Sequence, residues 1–467
     1  MQVFRYSGPE FSPYAEDELA PLAGDGPWPA PFATEPLGAS MQLPGSKSLT
    51  NRELVLAALA NGPSLLRAPL HSRDSALMIE ALRALGVSIE EVEGNGAFGP
   101  DLLVTPGELE GGASIDCGLA GTVMRFMPPV AALALGPVSF DGDPHARKRP
   151  MRTVIDALRD LGVDVSDDGR GALPFSLYGT GSVVGGELEI DASASSQFVS
   201  GLLLVAPRFE NGLTLRHTGE KLPSMPHIEM TIAALAARGV VVDSPSPGVW
   251  VVPHAEIQAL DVDIEPDLSN AAPFLIAAIV AGGTVAIEGW PEATTQVGAH
   301  LEQILPRFGA TVRREGSSLV VDGGDGLRGG TTFPGVDLDL SLGGELAPAL
   351  VALAAFATSP STITGIGHLR GHETDRLAAL AAEINGLGGT VVELEDGLTV
   401  EPAELHAGAW HTYDDHRMAH AGSIVGLAVD GVLIDDIATT SKTLPQYPQL
   451  WTEMLYGSPN SDLTVAL

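Results

Sequence analysis

Residues 121–136 read GTVMRFMPPVAALALG, and a polar start followed by an apolar helical stretch occurs at five other places in the chain. The equivalent starts are marked by Ser48, Thr122, Ser196, Asn270, Ala347 and His416, at successive spacings of 74, 74, 74, 77 and 69 residues. Near-constant spacing of one pattern indicates an internal repeat. A unit of this length is too long for a solenoid, whose units have about 20 to 50 residues.

A second pattern follows each of these helices and completes the repeat. An apolar helix ends at a glycine, and a strand-like segment comes next, as in ALRALGVSIE from residue 81 and ALRDLGVDV from residue 157. Glycine suits the left-handed turn that ends a helix, and β-branched residues favour strands. The sequence predicts six strand–helix–strand–helix–strand units, of which the sixth is truncated. The six units form two domains of three, and the chain crosses from one domain to the other at the Pro-rich segment 243–267. A succession of helix, glycine and strand is common in α/β proteins. The even spacing of the unit starts is the observation that favours an internal repeat.

The composition restricts the classes of function. The chain has 467 residues, and 25 Lys and Arg stand against 59 Asp and Glu, a net charge of −34 that argues against nucleic acids and anionic membranes as partners. One cysteine, Cys117, excludes an internal disulfide and suits a reducing compartment. Residues 1–40 are acidic and Pro-rich, unlike a targeting peptide, and the apolar stretch 271–287 is broken by Pro273 and two glycines. We therefore expect a cytoplasmic protein and a monomer.

The repeat starts carry groups that bind anions. Hydroxyl, amide and glycine N–H groups occur there beside Lys47, Arg125 or Arg417, in a chain with only four lysines. The free N–H groups and the dipole at a helix start attract anions, and Lys and Arg add charge-assisted hydrogen bonds to phosphate or carboxylate. The segment PGSKS (44–48) is not a Walker A loop, because a serine precedes the lysine where that motif has glycine. His416 and His420 have the spacing of a zinc helix but no Glu between them, so we expect no metal.

Seven short segments, spread along the chain in a fixed order, carry a specific likeness. They are LPGSKSLTNR (43–52), GTVMRF (121–126), KRP (148–150), SSQF (195–198), HETDR (372–376), DDHRMA (414–419) and SKTLPQYP (441–448). Together they resemble the 5-enolpyruvylshikimate-3-phosphate (EPSP) synthase family. The resemblance implies a two-domain inside-out α/β barrel with three βαβαββ units in each domain. It also implies one domain over 46–264, a second over 1–45 with 265–467, and an active site in the cleft between them.

The resemblance further implies a reaction in aromatic amino acid biosynthesis. The enolpyruvyl group of phosphoenolpyruvate would pass to the 5-hydroxyl of shikimate 3-phosphate, by addition and then elimination of phosphate through a tetrahedral intermediate. It implies no cofactor and no metal. The implied catalytic groups are Glu345, which accepts the 5-hydroxyl proton, Glu373, which handles the proton at C3, and Lys47 and His372.

The implied ligand contacts come from both predicted domains. Those with phosphoenolpyruvate are Lys47, Gly121, Arg149, Gln197, Arg376, Arg417 and Lys442. Those with shikimate 3-phosphate are Ser48, Arg52, Ser195, Ser196, Gln197, Ser224, Glu345 and His372. Arg125 is expected to support the cleft. Because the ligands would be held from both sides, we expect the domains to close on them and expel water.

Several positions depart from the family pattern. Many members have Asp, Lys, Tyr and Asn where this chain has Glu345, His372, His227 and Leu119. His372 is therefore expected to add a group that titrates near neutrality. Glyphosate competes with phosphoenolpyruvate in this family, and Gly121 leaves the room that a larger residue would fill, which predicts sensitivity. Phe126 stands where a proline is common, which weakens that expectation.

Two alternatives stay open from the sequence. The same fold serves the enolpyruvyl transferase that acts on UDP-N-acetylglucosamine, which uses a loop cysteine, whereas Cys117 lies in DCGLAGT. A non-catalytic anion-binding repeat protein would bind the same ligands without turnover. That second alternative leaves Glu345 and Glu373 unexplained.

Overall fold

The computed structural model describes residues 26–94 and 96–457. Most of the acidic, Pro-rich start of the chain, and the end of the predicted second domain from residue 458, lie outside these ranges. Within them, every helix is too short or too polar to span a lipid bilayer.

Short strands and helices alternate along the whole described chain. The strands are β1 (Trp28–Pro29), β2 (Leu37–Met41), β3 (Ser64–Arg67), β4 (Ser88–Val92), β5 (Asp101–Thr105), β6 (Ala113–Asp116), β7 (Leu135–Asp141), β8 (Asp164–Ser166), β9 (Phe175–Thr180), β10 (Gly186–Ile190), β11 (Leu213–His217), β12 (Asp243–Ser246), β13 (Val249–Val252), β14 (Val262–Asp263), β15 (Gly283–Ile287), β16 (Thr311–Glu315), β17 (Ser318–Asp322), β18 (Asp337–Asp339), β19 (Ser361–Thr364), β20 (Thr390–Leu394), β21 (Gly397–Glu401), β22 (Gly408–Trp410) and β23 (Val432–Ile434). The α-helices are α1 (Lys47–Ala58), α2 (Arg73–Ala84), α3 (Gly121–Ala131), α4 (Arg152–Asp160), α5 (Gln197–Val205), α6 (Met225–Ala237), α7 (Ala271–Ala281), α8 (Leu301–Ile304), α9 (Ala347–Ala354), α10 (Arg376–Gly386), α11 (His416–Ala428) and α12 (Tyr447–Tyr456).

The predicted repeat starts are helix starts. Helices α1, α3, α5, α7, α9 and α11 each begin within one residue of the sequence landmark for their unit. Every residue of α3, α7 and α9 is buried. A helix that is apolar on all faces belongs in an interior. The first helix of each unit therefore lies inside and the sheets lie outside, as the inside-out arrangement requires.

The second helix of most units ends at the predicted glycine. Gly86, Gly162, Gly239, Gly309 and Gly388 have φ values between +82° and +98°. Glycine adopts this left-handed conformation without the strain of a side chain, so the chain can turn directly into the next strand. In the fourth unit the predicted helix is reduced to α8, between two 3-10 turns. The α-helical ladder cannot continue there, because proline at 306 has no N–H to donate.

Six small sheets show the repeat in three dimensions. Five have four strands, and four of these have the order first, second, fourth and third, as in the sheet of β6, β7, β9 and β8. In the fifth, β14 takes the place of the first strand beside β3, β5 and β4. The first pair is parallel and the other pairs are antiparallel. The sixth sheet has three strands, and β23 lies between β1 and β22. This is the βαβαββ unit, and the predicted fold class with a truncated sixth unit is confirmed.

Two strands are exchanged between the halves of the chain. β2 precedes α1 but pairs with β15 in the fourth unit, and β14 follows the third unit but pairs with β3 in the first. The two connecting segments run side by side, since Ser46 N donates to Glu265 O at 2.8 Å and Asp267 N donates to Pro44 O at 3.0 Å. The chain thus crosses at the end of the Pro-rich segment rather than in its middle, because β13 within it still pairs with β11.

Buried apolar side chains form two separate cores. One core contains residues between Leu54 and Ile257, and the other combines residues 28–43 with residues 268–454. This division supports the predicted boundary between 46–264 and the rest of the chain. The boundary itself stays a prediction.

A buried ion pair joins the third unit to the first. Arg238 donates to Oε2 of Glu53 from Nε at 3.0 Å and from NH2 at 2.8 Å, and NH1 donates to Ser64 Oγ at 3.2 Å. Burial raises the pKa of Glu53, against the effect of the guanidinium. Removing one partner of such a pair leaves the other charge buried without compensation.

We expect Arg238→Met to lower the free energy of unfolding by about 3–5 kcal/mol, because the Glu53 carboxyl would lose its cation. Urea unfolding followed by circular dichroism measures the loss. Arg208→Met is the matched control, since Arg208 is exposed and, among the described residues, donates only to Leu59 O, at 2.9 Å. The control should lose about 1 kcal/mol or less. Equal losses in the two variants would contradict the assignment.

Candidate active site

One cavity is lined by helix starts from both halves of the chain. Lys47, Gly121 and Gln197 are the first residues of α1, α3 and α5. From the other half, Arg417 lies in the first turn of α11 and Glu345 lies in the 3-10 turn before α9. The repeat brings equivalent helix starts together, so that residues hundreds of positions apart in sequence face one space.

All but two of the predicted site residues line this cavity. They are Lys47, Ser48, Gly121, Arg149, Ser195, Ser196, Gln197, Ser224, Glu345, His372, Glu373, Arg376 and Arg417. Arg52 and Lys442 are the two that do not. Arg125, expected to support the cleft, also lines the wall. The contact of each residue with a particular ligand stays a prediction.

The guanidinium of Arg52 is buried behind the cavity wall. Nε donates to Thr231 Oγ1 at 2.8 Å, and NH1 donates to Ser48 O at 2.8 Å. NH2 donates to His227 O at 2.9 Å and to Ser200 Oγ at 3.3 Å. Burial lowers the pKa of Arg52 to about 10, although nearby carboxylates oppose the shift. In this structure Arg52 supports the wall rather than facing the cavity.

Glu373 is the centre of a buried charge network. Lys442 Nζ donates to Oε1 at 2.6 Å, and Arg376 NH2 donates to Oε2 at 3.0 Å. Arg376 also holds Asp415 through two hydrogen bonds of 2.7 and 3.1 Å. Burial would raise the pKa of Glu373, but the charges of Lys442, Arg376 and Arg149 outweigh it and hold that pKa well below its usual range. Glu373 is therefore anionic at neutral pH. Lys442 does not line the cavity itself and influences it through its hydrogen bond to Glu373.

Glu345 is a second carboxylate in the wall. Nε2 of His227 lies 2.7 Å from its Oε2 atom. Burial would raise the pKa of Glu345, but His227, the Arg417 charge and the Ser269 hydroxyl together leave it well below its usual range. The side chain is therefore an anion, and the imidazole of His227 contacts one of its two carboxylate oxygens.

The expectation that His372 titrates near neutrality is wrong. Burial and the positive charges of Arg376 and Arg149 hold the pKa of its imidazole well below the usual range. The ring of His368 packs edge-on against it at 5.6 Å, and burial lowers the pKa of His368 to about 4. Both rings are neutral at neutral pH. Arg376 belongs to the same HETDR segment as His372, so what the sequence could not show is the burial of the ring and the charge of Arg149, which comes from another unit.

Cationic groups with unused donors surround Gly121. Arg149 donates from NH1 to Leu119 O at 3.1 Å, and its Nε has no partner in the described part of the chain. Arg125 reaches two main-chain carbonyls at 3.3 and 3.4 Å. A Cβ at Gly121 would lie 3.1 Å from Arg149 NH2 and from Gln197 Oε1. Helix α3 has no side-chain cap, so its first N–H groups also stay available to an anion, whereas the first N–H of α5, that of Gln197, donates to Ser195 Oγ at 3.3 Å.

Sequence reasoning missed residues that hold the predicted ones in place. Asp74 is buried in the first turn of α2, with Oδ2 at 3.3 Å from Lys47 Nζ. Asp267 accepts from Lys47 N through Oδ2 at 3.1 Å and from Ser269 Oγ through Oδ1 at 2.8 Å. His227, noted only as a departure from the family, holds Glu345. The available signal was position, since Asp267 immediately precedes a repeat start and Asp74 follows a serine cap.

The paired histidines of α11 do not act together. His416 lines the cavity, whereas the ring of His420 packs on Tyr447 at 4.3 Å. Burial and the charge of Arg417 hold the pKa of both imidazoles well below the usual range. Within the described ranges, no group of three or more His, Cys, Asp or Glu side chains could hold a metal ion.

Comparisons with known proteins agree on one family. The model of the family described as EPSP synthase (3-phosphoshikimate 1-carboxyvinyltransferase) matches residues 32–451. A protein of Kocuria rhizophila described as 3-phosphoshikimate 1-carboxyvinyltransferase is 56% identical over 448 residues, which cover 95% of this chain and 98% of that protein. The solved EPSP synthase of Acinetobacter baumannii is 24% identical over 92% of this chain and 97% of its own, with a TM-score of 0.73. The enolpyruvyl transferase NikO of Streptomyces tendae is 17% identical over 91% of this chain and 96% of its own, with a TM-score of 0.69. The two structural likenesses show the fold.

We expect Arg149→Gln to weaken binding of inorganic phosphate about 10- to 100-fold, because a charge-assisted hydrogen bond in a buried site contributes about 1.5–3 kcal/mol. The rise in melting temperature with increasing phosphate measures this affinity. Arg152→Gln is the matched control, since this neighbouring arginine is exposed and does not line the cavity. Equal phosphate affinities for wild type and Arg149→Gln would count against an anion site here.

Proposed function

The chain belongs to the EPSP synthase family, and from this membership we propose that it transfers the enolpyruvyl group of phosphoenolpyruvate to the 5-hydroxyl of shikimate 3-phosphate and releases phosphate. One observation carries the proposal from family to chemistry. Two carboxylates, Glu345 and Glu373, lie in the wall of one cavity together with five cationic side chains. These cations are Lys47, Arg125, Arg149, Arg376 and Arg417.

The cations fit a pair of multiply charged substrates. We assign Arg149, Arg417 and Gln197 to phosphoenolpyruvate, because their free donors face the cavity around Gly121 and the start of α11. Guanidinium groups bind carboxylate and phosphate through two parallel hydrogen bonds, which fixes orientation as well as charge. We assign the hydroxyls of Ser48, Ser195, Ser196 and Ser224, which line the cavity, to the phosphate of shikimate 3-phosphate.

The carboxylates fit the two proton transfers. Glu345 takes the proton of the 5-hydroxyl while that oxygen attacks C2 of phosphoenolpyruvate, and C3 gains a proton. In the elimination the C3 proton leaves, the C2–O bond to phosphate breaks, and the double bond forms again. We assign the C3 proton to Glu373 with Lys442 as its source: in the addition the Lys442 ammonium, 2.6 Å from Oε1, passes a proton through the Glu373 carboxylate to C3, and in the elimination the carboxylate takes that proton back and returns it to Lys442. Lys47, beside Asp74, is assigned to the reacting oxygens.

The family comparisons favour this reaction over both alternatives. The curated relative is described by its action on shikimate 3-phosphate, not on a nucleotide sugar. Cys117 is buried, and burial raises its pKa to about 12, so it does not resemble a reactive loop cysteine. Binding without turnover would leave Glu345 and Glu373 without a role.

The test is phosphate release with shikimate 3-phosphate and phosphoenolpyruvate, compared with UDP-N-acetylglucosamine as acceptor. We expect turnover with the first acceptor, none with the second, and a fall in kcat of about 10²–10⁴-fold in Glu345→Gln, because a carboxamide cannot accept the proton. The exposed Glu292→Gln is the control. Near-full turnover in Glu345→Gln would show that another group is the base.

Sensitivity to glyphosate also stays a prediction, and Gly121 provides its test. A methyl group there would press on Arg149 NH2 and Gln197 Oε1, both 3.1 Å away. We expect Gly121→Ala to raise the glyphosate concentration for half inhibition by about tenfold or more, since a shift of one strong hydrogen bond costs about 1.4 kcal/mol. The assay is phosphate release at fixed phosphoenolpyruvate. An unchanged inhibition curve would separate glyphosate from this part of the cavity.

We propose that the protein works as a cytoplasmic monomer that closes on its substrates. Its net charge of −34 and single cysteine support a location away from nucleic acids, anionic surfaces and oxidising compartments. Contacts across the cleft support closure, since Ser224 N donates to Ser341 O at 3.1 Å and His145 Nδ1 lies 3.1 Å from Asp414 Oδ2.

A further inference from the structure

The imidazole of His227 contacts the assigned base from the opposite side of the cleft. His227 belongs to the first turn of α6, and Glu345 belongs to the turn before α9 in the other half of the chain. The distance from Nε2 to Oε2 is 2.7 Å, and the two side chains are 16% and 20% exposed. A short contact to an anion, largely shielded from water, is stronger than a surface pair.

The main chain of His227 is held firmly, which gives its ring a defined position. Its carbonyl oxygen accepts hydrogen bonds from Arg52 NH2 at 2.9 Å, Thr231 Oγ1 at 3.0 Å and Ser200 Oγ at 3.3 Å. Its N–H donates to the carbonyl oxygen of Ser224 at 3.0 Å. Arg52, buried and turned away from the cavity, thus supports the turn that presents the imidazole.

We propose that His227 is a positioning residue for the Glu345 base, holding the carboxylate through Oε2 in the orientation that accepts the 5-hydroxyl proton. This inference rests on the function proposed above. An imidazole that donates through Nε2 fixes the direction of the carboxylate and leaves it an anion.

The other charged and titratable groups around the pair do not change charge near neutrality. They are Arg52 on α1, Arg376 on α10, Arg417 on α11 and His368 in the 3-10 turn Gly367–Gly371. Guanidinium groups stay charged, and burial lowers the pKa of His368 to about 4. His372 and His416 also have pKa values held well below the usual range.

His227→Gln keeps a hydrogen-bond donor at this position. The glutamine amide can still donate to Oε2 of Glu345. We expect its kcat to stay within about threefold of wild type, because a hydrogen bond to the carboxylate remains. His227→Phe, which removes the donor, should lower kcat about 10- to 100-fold at every pH while the KM for phosphoenolpyruvate changes little.

Two further variants make the result decisive. His254→Gln is the matched control, since His254 lies in the same half of the chain and bonds Phe209 O at 2.7 Å outside the cavity, and it should keep the wild-type kcat. If His227→Gln folds poorly by circular dichroism, His227→Tyr replaces it, because a phenol also donates.

Each outcome bears on one claim. A wild-type protein that releases no phosphate from the two substrates overturns the proposed function itself. An active wild type whose kcat is unchanged in His227→Phe, or falls equally in His227→Phe and His227→Gln, overturns the inference and leaves the function standing. A fall in kcat at unchanged KM in His227→Phe, with kcat retained in His227→Gln, supports both.

Discussion

Burying several cations together in a protein of net charge −34 is the constraint on which the rest of the structure depends. A buried charge is costly unless it is paired and hydrogen-bonded. Glu373 and Asp415 compensate Lys442 and Arg376 through hydrogen bonds of 2.6 to 3.1 Å. Arg149 has no carboxylate partner among the described residues, and its Nε has no acceptor there. An anionic ligand supplies the negative charge that these carboxylates do not provide. Its charge compensates the cations that have no carboxylate partner.

The fold was largely predictable because its signals are local and repeated. A polar helix start, an apolar helix and a terminating glycine each lie within one stretch of sequence, and Gly86 and Gly388 have the positive φ that the pattern required. The exchange of β2 and β14 was not predictable in this way. β2 pairs with β15, about 240 residues later, and no feature of either five-residue strand specifies that partner. Pairing of this kind depends on how two cores pack, which a local pattern does not contain.

The site was predictable where chemistry coincides with a helix start and less so where burial decides. Lys47, Gly121 and Gln197 begin inner helices, and the repeat brings such starts together. His372 looked like a titrating group, but burial, with the charges of Arg376 in the same segment and of Arg149 from another unit, holds the pKa of its imidazole well below the usual range. The contact between His227 and Glu345 joins residues 118 positions apart, neither of which a motif links to the other. Electrostatic effects between residues that are distant in sequence depend on the tertiary structure, which a motif does not contain.

The exchanged strands also give the protein an order of assembly during translation. Residues 46–264 contain all three of their units, including β14, so this half has its complete set of strands as soon as its last residues leave the ribosome. The other half must keep β1 and β2 unpaired, because β1 meets β23 only about 400 residues later. At about 5–20 residues per second, that wait lasts roughly 20–80 s. The earliest strands to be made are thus among the last to pair. Until they pair, their exposed edges can aggregate, and this is the stage at which binding to a chaperone would protect the chain most.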